Sequence, residues 1–512
     1  MAGVFTSCQE RIGNPNRHLL LGDYRYIDSS AFALNSHAIR RSIDQIIAED
    51  KDRTTADNRT KGYYRSRGDF LWIDRKGIDS RADTLLAFLR EVGRIGFSPK
   101  KFCVPEIEAD LKHVRTLDFD TASNRINQVM ARLEYHLTKA YLRYSMGQRY
   151  GFLNPVAVFN RLDVRDSDSV RVNYVRLFDL DMELPDKSVY DAALCKIHVD
   201  SIGAFLRSVQ PRHPMYVRLS RLLNHPDSMK MVRSKIMANM ERYRWRLKDR
   251  PELHSKCVVV NIPSFHLDAY DGEEHLMMRI GCGALETKTP LLTSRIKRMD
   301  INPQWVIPRN IIQKSIVPHV GNIQYFDQHR YFVRERRTGK VVDVAEVTPS
   351  MLLSGDYSVV QEGGEGNALG RIIFRFDNEF SIYLHDTSSR AFFARDNRGV
   401  SHGCVRVENP YDLAVFMLQN KDQMTMDKIR YSMTADVSGL GHGALRNAGK
   451  TEDAAPDTLN RRMLLGSVAV TPQVPVFITY HTIVSDRQGH LMQYQDVYGY
   501  DRVINQCLTP YQ

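Results

Sequence analysis

No apolar run among these 512 residues approaches the roughly 20 needed to cross a bilayer as a helix. Cysteine is sparse: seven residues, Cys8, Cys103, Cys195, Cys257, Cys282, Cys404 and Cys507, with no CxxC pair among them. That spacing excludes a zinc ribbon and a dense disulfide framework. Zinc-finger spacing and an RNA-binding sheet signature are also missing, so nucleic acid is not the expected partner. The glycines from Gly363 to Gly370 do not run from a strand into a helix with a GKS/T ending, which excludes a phosphate cradle. No internal repeat is found.

What is present describes a folded chain. Hydrophobic residues make up 43% and charged residues 26%, unlike a disordered segment. The length predicts two to four units. A formal net charge of +11 suits an anionic partner, and charge alone does not choose between acidic lipid, nucleic acid and an acidic wall polymer. The N-terminus is apolar and small up to Cys8, then turns polar at Gln9. It lacks a basic n-region. Phe5-Thr6-Ser7-Cys8 resembles the end of a lipoprotein signal, so lipidation of Cys8 and a membrane anchor are one expectation, and a chance apolar start is the other.

Along the chain, residues 1–35 read as an irregular tail. Residues 36–250 read as mainly helical. Leu85, Leu86, Phe88, Leu89 and Val92 recur at helical spacing, as do Val129, Met130, Leu133, Leu137 and Tyr141. Near Pro251 the pattern changes. Lys256 to Ile262 is a β-branched run, and alternating apolar residues flank Asp271-Gly272, a hairpin signal. Residues 251–512 therefore read as β-rich, with further strands expected at 371–376, 380–385, 475–484 and 491–498. Two stretches interrupt this pattern. Residues 303–366 carry several prolines and a predicted helix near 309–316, and 430–470 is polar and Gly-rich. Both read as insertions.

The chemistry concentrates between Phe380 and Leu418. An expected strand places Phe380, Ile382 and Leu384 on one face and Ser381, Tyr383 and His385 on the other. An Arg- and Gly-rich loop leads to Ser401-His402-Gly403-Cys404-Val405-Arg406. A thiol attacks as its thiolate, and an imidazole can take its proton. His385 and His402 are the two candidate bases, and a strand is the better platform. The N–H groups of Gly403 and Cys404 are candidate oxyanion donors, with the Tyr383 hydroxyl as a third. Arg406 either binds a substrate carboxylate or braces the loop. The bland alternative is an inert buried thiol and a core histidine. A zinc site from His385, His402 and Cys404 is a further alternative, and it lacks a fourth ligand with firm spacing.

His385, fifteen intervening residues, Ser401-His-Gly-Cys404 and Arg406 resemble the signature of the L,D-transpeptidase catalytic domain. Tyr383-Leu-His-Asp-Thr387, Gly366-Asn-Ala-Leu-Gly370, Asn302-Pro-Gln-Trp305, Val260-Asn-Ile-Pro263 and Thr287-Lys-Thr-Pro290 resemble the large, scaffolded periplasmic subgroup. Tyr64 to Pro155 is similar to its helical scaffold, and Met240 to Trp245 to its linker helix. Residues 155–230 show no small peptidoglycan-binding domain of the sort that subgroup often carries. The resemblance implies an α+β chain: a helical scaffold followed by a mainly β catalytic domain at 251–512, with 303–366 as a capping insertion. It implies a Cys404 acyl-enzyme that forms 3→3 cross-links between peptidoglycan stem peptides in the bacterial periplasm. The nearest alternatives are an L,D-carboxypeptidase or endopeptidase of the same fold, or an inactive wall-binding protein. His385 is the implied base. His402, Gly403, Tyr383 and Ser401 support the site, and Arg406, Trp305 and Asn367 contact substrate. Carbapenem-type inhibitors are expected to acylate Cys404. No cofactor, metal or nucleic acid is implied.

Overall fold

The computed structural model describes residues 34–74, 77–116, 118–119, 122–167, 172–199, 201–225, 232–437 and 459–512. Cys8 and the stretch Gly439–Gly443 lie outside these described residues. No described helix is long and apolar enough to cross a membrane. The chain divides into two units. The first holds Met1–Val158, Met182–Lys248 and His481–Gln512; the second holds Phe159–Asp181 and Asp249–Tyr480.

The first unit is helical. Ser36–Glu49 starts at Asn35, whose side chain accepts the Ala38 N–H, and it buries Ile39, Ile43 and Ile47, one per turn. Thr54 and Asp57 form a reciprocal cap on Thr55–Arg65. Both pack on the central helix Ile126–Tyr150, which is buried almost all round. Such a helix can carry a charge only if it is fully bonded. Glu134 meets that condition: its carboxylate accepts the N–H groups of Leu71, Trp72 and Ile73 and the Tyr64 hydroxyl. The two apolar stripes expected from the spacing are core except for Phe88.

The last segment departs from the expected boundary. Residues 481–512 belong with the helical unit, not with the β unit. The reason is polar as much as apolar. Arg242 donates to the Asp501 carboxylate at 2.6 Å, and Asn239 donates to the Thr482 hydroxyl at 2.7 Å, all of them buried. Tyr511 joins an aromatic cluster with Phe97, Phe102 and Phe152. Of the strand expected at 491–498, only Leu491–Gln493 forms, paired with Ile483–Ser485.

The second unit is built on one ten-stranded sheet. Its strands are β1 (Phe178–Asp179), β2 (Lys256–Asn261), β3 (His266–Asp271), β4 (Glu274–Gly283), β5 (Leu291–Ile301), β6 (Ile372–Phe376), β7 (Leu384–His385), β8 (Gly399–Ser401), β9 (Val405–Val407) and β10 (Ser467–Thr479). The order is β6-β7-β9-β4-β3-β2-β10-β5-β1, and β6 also pairs with β5, so the sheet closes on itself. Closure leaves few free edges. The expected hairpin at Asp271-Gly272 joins β3 to β4, with Gly272 at φ +57.

Residues 303–366 fold into a small body of their own. Four short strands pair in the order Trp305–Val306, Tyr357–Gln361, Tyr331–Glu335, Val341–Val342. Helical turns span Arg309–Ile316, and Ile307, Ile312, Ile316, Phe326, Val333, Val347, Leu352 and Val359 form a separate core. Its entry and exit touch: a Cβ on Gly363 would lie 2.3 Å from the Asn302 carbonyl oxygen, so only glycine fits there.

Candidate active site

The strand expected at 380–385 is shorter than its alternation suggests. Only Leu384 and His385 pair, because Asn378 offers its side chain as a substitute partner. Its Oδ1 accepts the N–H groups of Phe380 and Ile382, and its Nδ2 donates to the Phe376 and Ile382 carbonyls. This bend puts Ser381 at φ +55, a left-handed conformation uncommon outside glycine.

β7 then runs parallel to β9, with Leu384 opposite Val405 and His385 opposite Arg406. The Val405 N–H donates to the Tyr383 carbonyl at 3.0 Å, which extends the register to Tyr383 beside Cys404. Side chains alternate along strands. Leu384, Val405 and Val407 therefore share the buried face, and Tyr383, His385, Cys404 and Arg406 share the other.

The loop into Cys404 is pinned by hydroxyls. Ser401 Oγ accepts the Gly403 N–H at 3.1 Å and donates to the Cys404 carbonyl at 2.6 Å. The Ser401 carbonyl accepts from Ala284 N–H and from Thr287 Oγ1. Thr289 Oγ1 donates to the Gly403 carbonyl and accepts the Gly283 N–H, both at 2.8 Å. Gly403 sits at φ +118, which a side chain would resist. These bonds correct one expectation. The Gly403 N–H is engaged by Ser401, so it is not a free oxyanion donor.

The Cys404 sulfur donates toward the Ser381 carbonyl at 4.0 Å. Burial pushes its thiol up, while the Tyr383 N–H facing it and the Arg406 charge act the other way. The Tyr383 contribution thus comes from its backbone. Its ring lies 5.0 Å from the Arg375 guanidinium.

His385 is buried. Its Nδ1 contacts the Asp386 carbonyl, which can only accept, so Nδ1 carries the proton and Nε2 is the basic nitrogen. Burial and then Arg406 hold its pKa down at about 4, against the Asp386 and Leu369 carbonyls. It is therefore a neutral imidazole at neutral pH. His402, the other candidate base, is exposed on the loop; burial, Arg406 and Lys314 of the insertion lower its pKa.

Arg406 lies on the Cys404 face of β9. Its guanidinium is 5.5 Å from the Phe392 ring, and its Nε is buried without a hydrogen-bond partner. Gly281 lies opposite Arg406 on β4, and a Cβ there would meet Phe392 at 2.6 Å. Among the described residues, no three His, Cys, Asp or Glu gather to hold a metal ion.

One expected substrate contact, Asn367, is buried, and the other, Trp305, is partly buried on the insertion. Asn367 is 1% exposed, and its amide is engaged by backbone: Nδ2 donates to the Glu362 and Pro303 carbonyls, and Oδ1 accepts the Leu369 N–H. Trp305 packs on the core of the insertion. Sequence reading missed the clamp made by Thr287 and Thr289. The only signal was the resemblance carried by Thr287-Lys-Thr-Pro290.

Residues 58–223 match the family model of a scaffold domain, and residues 255–426 match that of the L,D-transpeptidase catalytic domain. A Haemophilus influenzae protein named "Putative L,D-transpeptidase" is 30% identical over 295 residues, covering 57% of this chain and 52% of the relative. The chain thus spans about half the length of that relative. A solved structure described as the Ldtfm–avibactam carbamoyl enzyme aligns at 11% identity over 51% of this chain and 71% of that one, with a TM-score of 0.20, too low to carry an argument. A scaffold-domain match is thus followed by a match to the L,D-transpeptidase catalytic domain, and Cys404 and His385 both lie inside the second.

Proposed function

We propose that this chain transfers an acyl group between peptidoglycan stem peptides through a thioester on Cys404. The observation that carries the reading is the pairing of β7 with β9, which sets the neutral imidazole of His385, directed by the Asp386 carbonyl, opposite Arg406 and two residues on in register from Cys404.

A thiol raised by burial is mostly protonated at neutral pH, so it needs a base. His385 Nε2 takes the thiol proton as sulfur attacks the carbonyl of the diaminopimelate residue in a tetrapeptide stem. The Tyr383 N–H, already facing the sulfur, is a backbone donor close to the developing oxyanion. Collapse breaks the amide bond to the terminal D-Ala, and His385 returns the proton to that amine. The side-chain amine of a second stem then attacks the thioester, giving a 3→3 link and freeing the thiol. Arg406, whose Nε has no partner, is placed to take a stem carboxylate.

The insertion acts as a lid that keeps water from the thioester; the nearness of Lys314 to His402 supports this. The same thiolate opens carbapenems. Such a substrate puts the enzyme in the bacterial envelope, and Cys8, in a sequence that resembles a lipobox, is its proposed lipid anchor. The test is incubation of the protein with purified tetrapeptide muropeptides and a mass readout. A dimer lacking one D-Ala supports transfer. A tripeptide alone replaces it with carboxypeptidase action, and unchanged muropeptides overturn the proposal.

A further inference from the structure

Cys404 and His385 are held by different supports. The loop carrying Cys404 hangs on Ser401, Thr287 and Thr289. His385 leans on another part of the chain, the turn Asn367–Gly370 that closes the insertion. Asn367 joins both feet of that insertion: its Nδ2 donates to the Glu362 carbonyl at 2.7 Å on the exit side and to the Pro303 carbonyl at 3.2 Å on the entry side. Its Oδ1 takes the Leu369 N–H at 2.8 Å, and its own carbonyl takes the Gly370 N–H at 2.9 Å.

The turn then reaches the imidazole twice. The Leu369 carbonyl lies against the His385 ring. The Arg371 N–H donates to the Asp386 carboxylate at 2.8 Å, and the Asp386 N–H donates to the Ile372 carbonyl at 2.9 Å. Asp386 is thus fixed at both ends, and its carbonyl receives the His385 Nδ1 proton. Gly370, at φ +65, presses on Asp386 so closely that a Cβ would lie 2.5 Å from its side chain. The buried amide thus holds the Leu369 segment directly and reaches the Asp386 carbonyl through the Gly370–Ile372 backbone that follows.

We propose that Asn367 is a positioning residue for His385: by tying the two feet of the insertion to the Leu369–Asp386 cradle, it sets the tautomer and direction of the imidazole. The feet of the lid and the base then share one chain of bonds, while the loop of Cys404 hangs on Ser401, Thr287 and Thr289 and meets the base across the β7–β9 pairing. This rests on reading His385 as the base in the proposed transfer.

The test uses the full chain labelled with nitrogen-15 histidine, with His385→Gln to assign the ring signals. The wild type is expected to show a single tautomer protonated at Nδ1. Asn367→Ala and Gly370→Ala are expected to show averaged ring signals. Both should alkylate Cys404 with iodoacetamide about tenfold more slowly at pH 7, with a changed pH profile, while melting cooperatively. Should Asn367→Ala not fold, Asn367→Asp keeps the acceptor for Leu369 and loses both donations, so it carries the same comparison. Folded variants with wild-type ring signals and wild-type alkylation overturn the proposal. A wild-type chain that transfers nothing overturns the function instead, and the ring signals still decide the present point.

Discussion

Thr289 bridges two backbones with one hydroxyl, accepting the Gly283 N–H and donating to the Gly403 carbonyl at the same 2.8 Å. Replacing it with valine keeps the shape and leaves two buried backbone groups unpaired. Each unpaired group costs about 1–3 kcal/mol. Thr289→Val is therefore expected to lower the melting temperature and slow Cys404 alkylation together. Thr289→Ser, which keeps the hydroxyl, should restore most of both. Differential scanning calorimetry and timed alkylation check the pair.

The proposed roles of the two central residues predict different losses. Cys404→Ala should abolish turnover of tetrapeptide stems. His385→Ala should slow it by roughly 10²–10⁴-fold, the range for a lost general base. Near wild-type turnover by Cys404→Ala would rule out the thioester.

Acid should loosen the second unit through His385. Its folded pKa is held at about 4 and its ordinary value is about 6.5. The unfolded chain therefore takes the proton first. The stability contributed by the neutral ring is present above 6.5 and is lost as pH falls toward 4, by about 3 kcal/mol. His136 in the helical unit behaves the same way, also held near 4 by burial. Unfolding midpoints from pH 7 to 4 are expected to fall, and His385→Gln should remove part of that slope. An unchanged slope in His385→Gln would contradict the assignment.

A carbapenem should label one thiol per chain, on the peptide containing Cys404. Burial raises Cys103 and Cys257 to about 11 and also raises Cys507, so these are poor nucleophiles. Cys195 is exposed and lies in the helical unit, outside the Phe380–Leu418 stretch that carries His385 and Arg406. Peptide mapping of the adduct decides this, and a modified Cys195 or Cys257 would be the adverse result.

The insertion should be removable. Its ends meet at Asn302 and Gly363 and it has its own core, so a short linker replacing 304–361 is expected to leave the closed sheet folded. If the insertion is a lid, the truncated enzyme should still take a carbapenem while its products shift from cross-linked dimer toward trimmed tripeptide. An unchanged product ratio would remove the lid from the mechanism.

The sequence reveals those features that depend on local pattern. Helical stripes in 85–92 and 129–141, the Asp271-Gly272 hairpin and the cluster from His385 to Arg406 all carry short-range periodicity or spacing. What it hides depends on side chains that replace backbone partners. Asn378 cuts short a strand whose alternation looks intact. Asn367 has the profile of a surface contact residue and is instead a buried knot, because its partners lie 5 and 64 residues away. The return of 481–512 to the helical unit is also hidden, since no local rule reports that Arg242 waits for Asp501.

That return governs how the protein is made. The chain enters the first unit, leaves and re-enters it, and adds residues 481–512 to it only after Asp249–Tyr480 of the second unit has been synthesised. Domains on a ribosome generally fold in order of emergence. Of the two units, the first to emerge is the last to finish, because the buried bonds of Arg242 to Asp501 and of Asn239 to Thr482 form only when residues 481–512 arrive. Translation that stops anywhere in the β unit leaves a helical body with an open polar seam. Quality control acting on unfinished chains therefore has a target in the half of the molecule farthest from the nucleophile in sequence.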